Sequence, residues 1–353
     1  MSGESKISKP SDYFSRKVTV VSFVMAIFVI YIHANNLKYY GIPVDQHTLV
    51  NVIVKLCAEV IGGVAVPFFF MLSGYWLFRF DITDSSATAI LFSKIQKKVK
   101  TLVVPYLLWN AFGMVFYITV THVPFLSTLM NNGKPIEIMI PNIVEGLFLH
   151  KYYFTFWYLQ DLIILTALSP VLLTALKNKY VGIALMLVSF LTNVASIDLL
   201  IVRTSSLMFF ILGAYISIYA RDYFEIDKSN AIVYLLGFTL AGIVRYYHIP
   251  VAKQIGFFIS PILLWKGIES IIPIKKLDKP RWFVSQSFFI YASHVIPITI
   301  IGHFLSKVGK GMAWATCTYI IAPWITLGLI YVVAKLLHKF CPSFYRIICG
   351  YRG

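Results

Sequence analysis

"VTVVSFVMAIFVIYIH", residues 18–33, decides how this chain is to be read. Between Val18 and Ile32 only Thr19 and Ser22 interrupt the apolar run, and the run closes on a histidine. At about 1.5 Å of rise per residue, a helix from Lys17 to His33 is about 24 Å long. A bilayer hydrocarbon core is about 30 Å thick, so the stretch reads as a membrane span entered behind Arg16 and Lys17. His33 then lies towards the far face.

The rest of the sequence repeats the pattern. Of its 353 residues 58% are hydrophobic and 13% charged, with a mean hydropathy of +0.76, which excludes an ordinary soluble protein. Apolar windows recur at about 18–34, 56–78, 101–121, 155–176, 180–197, 202–220, 231–247, 251–271, 283–305 and 313–334. The expected fold is an all-α integral membrane protein, a bundle of about ten transmembrane helices. It forms one membrane domain over 1–353, with a short segment 1–17 before it and a tail 335–353 behind it. Prolines 67, 105, 170, 261, 297 and 323 fall within or at the ends of spans, where neighbouring helices can satisfy the freed backbone groups. The connectors "LKNKY" and "SIDLLIV" predict helix hairpins. The stretch 122–154, rich in Asn, Pro and aromatics, predicts a short re-entrant or interfacial helix.

A formal charge of +16 would suggest nucleic acid in a soluble chain. Here topology accounts for it. With ten spans, 22 of the 31 lysines and arginines fall in the loop set that holds the N-terminus. The positive-inside rule therefore predicts cytoplasmic N- and C-termini in a cell (inner) membrane, and no nucleic-acid partner. The first span lacks a small-residue cleavage pattern and is expected to stay in the mature protein. Cys57, Cys317, Cys341 and Cys349 show no CxxC spacing, and neither disulfide nor metal site is expected.

Two readings of His33 follow from its position: a polar residue at the interface beside Asn35 and Asn36, or an ionisable group facing the bundle, which is costly unless it functions. The order of other patches bears on the choice. Residues 65–78 read "AVPFFFMLSGYWLF", 97–109 "KKVKTLVVPYLLW", 157–170 "WYLQDLIILTALSP", 209–215 "FFILGAY" and 287–297 "SFFIYASHVIP". This series, over roughly residues 15–335, resembles the acyltransferase type 3 family of integral-membrane acyltransferases. Its members have a histidine closing the first span, a VP-x-FF-x-x-SGY run in the second and a late Y-x-x-H. The resemblance implies transfer of an acyl group, usually acetyl from acetyl-CoA, to a hydroxyl of a carbohydrate, lipid-linked glycan or glycolipid. No tightly bound cofactor is implied. His33 matches the catalytic histidine, and a neutral imidazole can accept a hydroxyl proton and pass it to a leaving thiolate. Many members carry an arginine eleven residues earlier, where this chain has Ser22; Arg16 and Lys17 are the nearest basic residues.

Further candidates take their roles beside that reading. Lys97, Lys98 and Lys100 anchor the third span and form a cluster suited to CoA phosphates. Glu59 sits four residues after Lys55, as an ion pair or as a carboxylate orienting His33. His294 and Tyr291 carry the Y-x-x-H pattern and are expected to line the site. Ser73, Gly74 and Tyr75 suit close helix approach, with Tyr75 towards a tunnel. Trp157 opens the fourth span as a belt or binding residue. Arg203 would bind an acidic glycan group or pair with Asp198. A second class of function, a secondary transporter or polysaccharide exporter, also fits intramembrane His, Glu and Arg. The sequence shows no inverted repeat to support it.

Overall fold

The computed structural model describes residues 9–35, 37–43, 48–123, 137–197, 201–227 and 230–351, and among them it is helical without strands. Each of the ten apolar windows falls on helix. Five helical runs are long and apolar enough to cross a membrane: Asp12–His33, Leu49–Leu77, Ala87–His122, Phe154–Leu176 and Met312–Phe340. The pair Ser287–Ser293 and Val295–Val308, bent by 54°, makes a sixth if it is one span. Lys179–Val194, Thr204–Tyr219 and Ala231–Tyr246 are apolar but shorter. The expected short helix within 122–154 is present at Ile140–Phe148; residues 124–136 lie outside the described residues.

Three motif prolines set the breaks in these helices. Proline has no N–H to give the carbonyl four residues earlier, and its ring crowds that carbonyl. Pro67 follows a π turn at Lys55–Ile61 and a 3-10 turn at Gly62–Val64. Pro105 follows a π turn at Val99–Val103. Pro297 lies four residues after Ser293, the last residue before the 54° bend. Each wide turn leaves backbone carbonyls to be satisfied from outside the helix.

The chain forms two compact, interleaved units. The first comprises 1–29, 55–97 and 161–287; the second comprises 30–54, 98–160 and 288–353. In the first, α3 (Ala65–Leu77) packs on α9 (Thr204–Tyr219), and two glycines let their backbones meet. A Cβ on Gly213 would stand 1.8 Å from the Met71 carbonyl oxygen, and one on Gly74 2.1 Å from that of Phe210. The expected "SGY" and "FFILGAY" patches are thus two halves of one contact.

One end of this unit closes on Asp227. Its carboxylate accepts from Lys17, from Lys266 (Nζ–Oδ1 3.2 Å) and from the Tyr13 hydroxyl, and both lysine side chains are 1% exposed. Lys17 also lies 4.5 Å from the Trp265 ring centroid. Burial pushes the Asp227 carboxyl up. Hydrogen bonds from Lys17 and Tyr13, with the charges of Lys17 and Lys266, outweigh it and hold the group below the usual carboxylate range. Beside it Glu225 binds Arg79 and the hydroxyl of Tyr75, and Lys94 caps the end of α3 through the carbonyls of Trp76, Leu77 and Arg79.

Two outcomes test this packing. Gly213→Ala should lower stability by about 1–3 kcal/mol or more, because no rotamer change moves a backbone carbonyl away. Gly328→Ala, where nothing lies within 4 Å of the new methyl, should leave the melting temperature in detergent unchanged or raised. Equal melting of the two variants would rule out the close contact. Asp227→Asn should cost about 3–5 kcal/mol, since it strands two buried ammonium groups. The wild-type contribution should be complete above the ordinary carboxylate range and fade as pH falls through the depressed Asp227 value, a decline the Asn variant should lack.

Candidate functional site

His33 belongs to the second unit. Helix α1 (Asp12–His33) ends there, tied to α15 (Met312–Phe340) by two hydrogen bonds at Tyr31: its hydroxyl donates to the Ile320 carbonyl at 3.2 Å, and its own carbonyl accepts from Tyr319 at 3.2 Å. The His33 ring packs at a steep angle on that of Phe154, 5.4 Å between centroids. The His33 ring centroid also lies 5.1 Å from that of His294. The two histidines that the sequence singled out, separated by most of the chain, are therefore neighbours.

The bend before Pro297 puts His294 at the junction of α13 (Ser287–Ser293) and α14 (Val295–Val308), 0% exposed. Its Nδ1 lies 2.6 Å from the Tyr291 carbonyl oxygen. A carbonyl can only accept, so Nδ1 carries the proton and Nε2 keeps its lone pair. That Nε2 is buried and has no hydrogen-bond partner among the described residues. A buried acceptor left unmet costs free energy unless something else meets it.

The wall around the pair is held by aromatic hydroxyls donating to backbone. Tyr291 donates to the Thr155 carbonyl at 2.7 Å, and Tyr153 to the Ala292 carbonyl at 2.6 Å. Tyr291 stacks on Phe156 at 5.7 Å. Thr155 is buried, and its Oγ1 finds no partner among the described residues. Trp157 follows directly, half-buried at the start of α7 (Trp157–Leu176). On the same unit an apolar cavity of about 420 Å³ runs between Trp109, Phe112, Ile330 and Val333 and reaches Ser293.

Each of the other expected residues has its own surroundings. Glu59 belongs to the first unit, exposed in the wide turn Lys55–Ile61. Lys55 does not pair with it but lies 4.5 Å from the Tyr246 ring centroid. Tyr75 is fully buried among Phe14, Trp76 and Phe224, with its hydroxyl on Glu225. Ser73 is half-buried beside the glycine contact. Arg203 pairs with Asp161 at 3.3 Å; Asp198, its expected partner, lies outside the described residues. Asp161 also accepts from the Ser206 hydroxyl at 2.7 Å. Lys17 is engaged by Asp227, whereas the half-buried Arg16 has its Nε without a partner among the described residues. Lys97 and Lys100 are exposed and Lys98 is half-buried along the run Ala87–His122.

The sequence reading missed Arg245. It is 9% exposed, with Nη1 2.8 Å from the Val60 carbonyl and Nη2 2.6 Å from that of Glu59. These carbonyls stand in the wide turn before Pro67, and Gly63 leaves room for the guanidinium, since a Cβ there would lie 2.7 Å from Nη2. The signal was available: "AGIVRYYHIP", 241–250, closes an apolar run on an ionisable residue, as the first span does.

Comparison with known proteins bears on the chain as a whole. Succinoglycan biosynthesis protein ExoH of Rhizobium meliloti (strain 1021) is 19% identical over 353 residues, covering 96% of this chain and 92% of that protein. Sodium-dependent phosphate transport protein 2B of Bos taurus is 30% identical over 106 residues, a local likeness covering 30% of this chain and 13% of that protein. No solved structure matches the chain. The sequence profile described as an acyltransferase domain matches residues 20–336, across both units and through His33 and His294, so the chain belongs to the acyltransferase type 3 family.

Proposed function

We propose that this protein is an inner-membrane O-acyltransferase, moving acetyl from acetyl-CoA to a hydroxyl of a surface polysaccharide, lipid-linked glycan or glycolipid. Its ten helical segments would cross the membrane with both termini in the cytoplasm. Family membership supports acyl transfer, and the likeness to a protein of succinoglycan biosynthesis supports a carbohydrate acceptor. The observation that carries the site is the His33–His294 pair with an unmet imidazole nitrogen.

In this reading His33 takes the proton of the acceptor hydroxyl as its oxygen attacks the thioester carbonyl. The tetrahedral intermediate collapses, the carbon–sulfur bond breaks, and the imidazolium returns the proton to the CoA thiolate. His294 and Tyr291 line the site: the Tyr291 carbonyl fixes the His294 tautomer, and His294 Nε2 offers an acceptor to a substrate N–H or O–H. Trp157 borders the same wall. Lys97, Lys98, Lys100 and Arg16 take the phosphates of CoA; Lys17, already neutralised by Asp227, would hold that end of α1 in place.

His33→Ala should lower transfer from labelled acetyl-CoA by about 10²–10⁴-fold without changing the melting temperature. Near-normal turnover by folded protein would return His33 to an interfacial role. His294→Ala should be milder and fall mainly on KM. Replacing Lys97, Lys98 and Lys100 together with Gln should raise the KM for acetyl-CoA and leave kcat little changed, since contacts far from the thioester bind ground and transition states alike. Added salt should weaken wild-type binding and narrow the gap. Unchanged affinity at low salt would move the donor site elsewhere.

A further inference from the structure

The first unit contains a second cavity, of about 450 Å³, and its lining differs in kind from the apolar one. It collects helix ends. Asn193 and Ser196 come from the end of α8 (Lys179–Val194), and Ser205 from the start of α9. Arg245 and His248 come from the end of α11 (Ala231–Tyr246), and Lys253, Gln254 and Phe257 from the start of α12 (Ala252–Gly267). Glu59 and Val60 close it from the wide turn. This end of the unit is opposite the one tied by Asp227.

The charges set what it can hold. Arg245 is buried, and no carboxylate lies within 4 Å of it among the described residues. Two of the five N–H groups its guanidinium carries donate to neutral carbonyls. A buried cation whose direct partners are carbonyls, with the Glu59 carboxylate acting on it only from beyond ion-pair distance, is costly, and an anion in the cavity would offset that cost. Lys253, whose Nζ is 2.9 Å from His248 Nδ1, adds a second positive group, and the N-terminal turn of α12 adds partial positive charge. Glu59 offers the one carboxylate of the lining.

The remaining groups suit hydroxyls. Asn193 and Gln254 face each other at 3.5 Å, too long for a strong mutual bond and open to an inserted hydroxyl. Ser196 and Ser205 add two more donor-acceptors. The Phe257 ring, 5.5 Å below the guanidinium, supplies an apolar face of the size of a sugar ring. The volume lies within the range of about 300–1,000 Å³ typical of small-ligand sites.

We propose that this cavity is an acceptor subsite for an acidic sugar, a carboxylate-bearing residue of the glycan held by Arg245 and Lys253. Its hydroxyls meet Asn193, Gln254 and the serines, and its ring lies on Phe257. The inference rests on the acyltransferase reading for the identity of the glycan as substrate, but binding itself requires no donor. The acidic-glycan role that the sequence suggested for Arg203 thereby passes to Arg245, because Arg203 is taken by Asp161.

The test is direct binding to purified full-length protein in nanodiscs, without acetyl-CoA, read by calorimetry. The probes are a β-linked glucuronate tetrasaccharide, the neutral glucose tetrasaccharide and inorganic phosphate. The glucuronate should bind at least tenfold tighter than the neutral oligosaccharide, and Lys253→Gln should remove most of that margin. Arg245→Gln should remove it too, but that side chain also holds the wide turn; Lys253→Gln, which touches no helix carbonyl, keeps the test independent of folding. Equal affinity for neutral and acidic probes, or an unchanged margin in Lys253→Gln, would overturn the proposal. So would phosphate displacing the glucuronate at equal concentration, which marks a phosphate site instead. Acidic-sugar binding by a protein that transfers no acetyl would sustain the subsite and sink the acyltransferase reading. Transfer without acidic preference would do the reverse.

Discussion

A polar atom inside an apolar bundle must find its partner within the protein, because lipid supplies none. Most of this structure is that constraint worked out. Asp227 exists at its position because Lys17 and Lys266 are buried beside it. Asp161 holds Arg203 and Ser206. Tyrosine hydroxyls end on backbone carbonyls that neighbouring turns leave open, as Tyr291 does on Thr155 and Tyr153 on Ala292. Where the rule is kept, the element is structural. Among the described residues it is broken at several places, Asn110 Oδ1, Thr155 Oγ1, Ser217 Oγ and His294 Nε2 among them, and of these His294 Nε2 stands beside His33.

The prolines connect that rule to the sites. Pro67 and Pro297 each withhold one N–H from a helix, and each produces a place where helix geometry is interrupted. Ahead of Pro67 stands the wide turn Lys55–Ile61, and Arg245 bonds the carbonyls of Glu59 and Val60 within it. At Pro297 it bends the helix by 54° and leaves His294 at the corner, its Nδ1 turned back onto Tyr291.

The sequence made some of this legible. Apolar length located the long apolar helices but not Ala87–Lys98, Arg221–Glu225 or Pro342–Ile348, and an ionisable residue closing an apolar run singled out His33. The order of short motifs gave the family. What it withheld was distance. Lys17 and Asp227 are 210 residues apart, and nothing local to either tells that they meet. For that reason Lys17 read as a cation near the donor, and Arg203 as a residue for an acidic glycan group or for Asp198. The unit boundaries were equally hidden, because the chain passes between units inside continuous helix at Val29–Ile30, Lys97–Lys98 and Gln160–Asp161, where no linker composition appears.

The same logic explains why Arg245 escaped notice while His33 did not. Both close an apolar run, but a histidine there has an obvious chemical use, whereas an arginine is readily assigned to anchoring the helix end at the interface. Burial separates the two cases. An anchoring arginine extends its head into water along a snorkelling stem. Arg245 instead turns inward, over Phe257 and onto the carbonyls of a neighbouring turn, where its charge has no carboxylate within 4 Å among the described residues. A cation kept in that position serves the helix geometry through two of its donors, and its remaining donors border a cavity lined by amides and hydroxyls. Anchoring alone would need neither the burial nor the glycine that makes room for it.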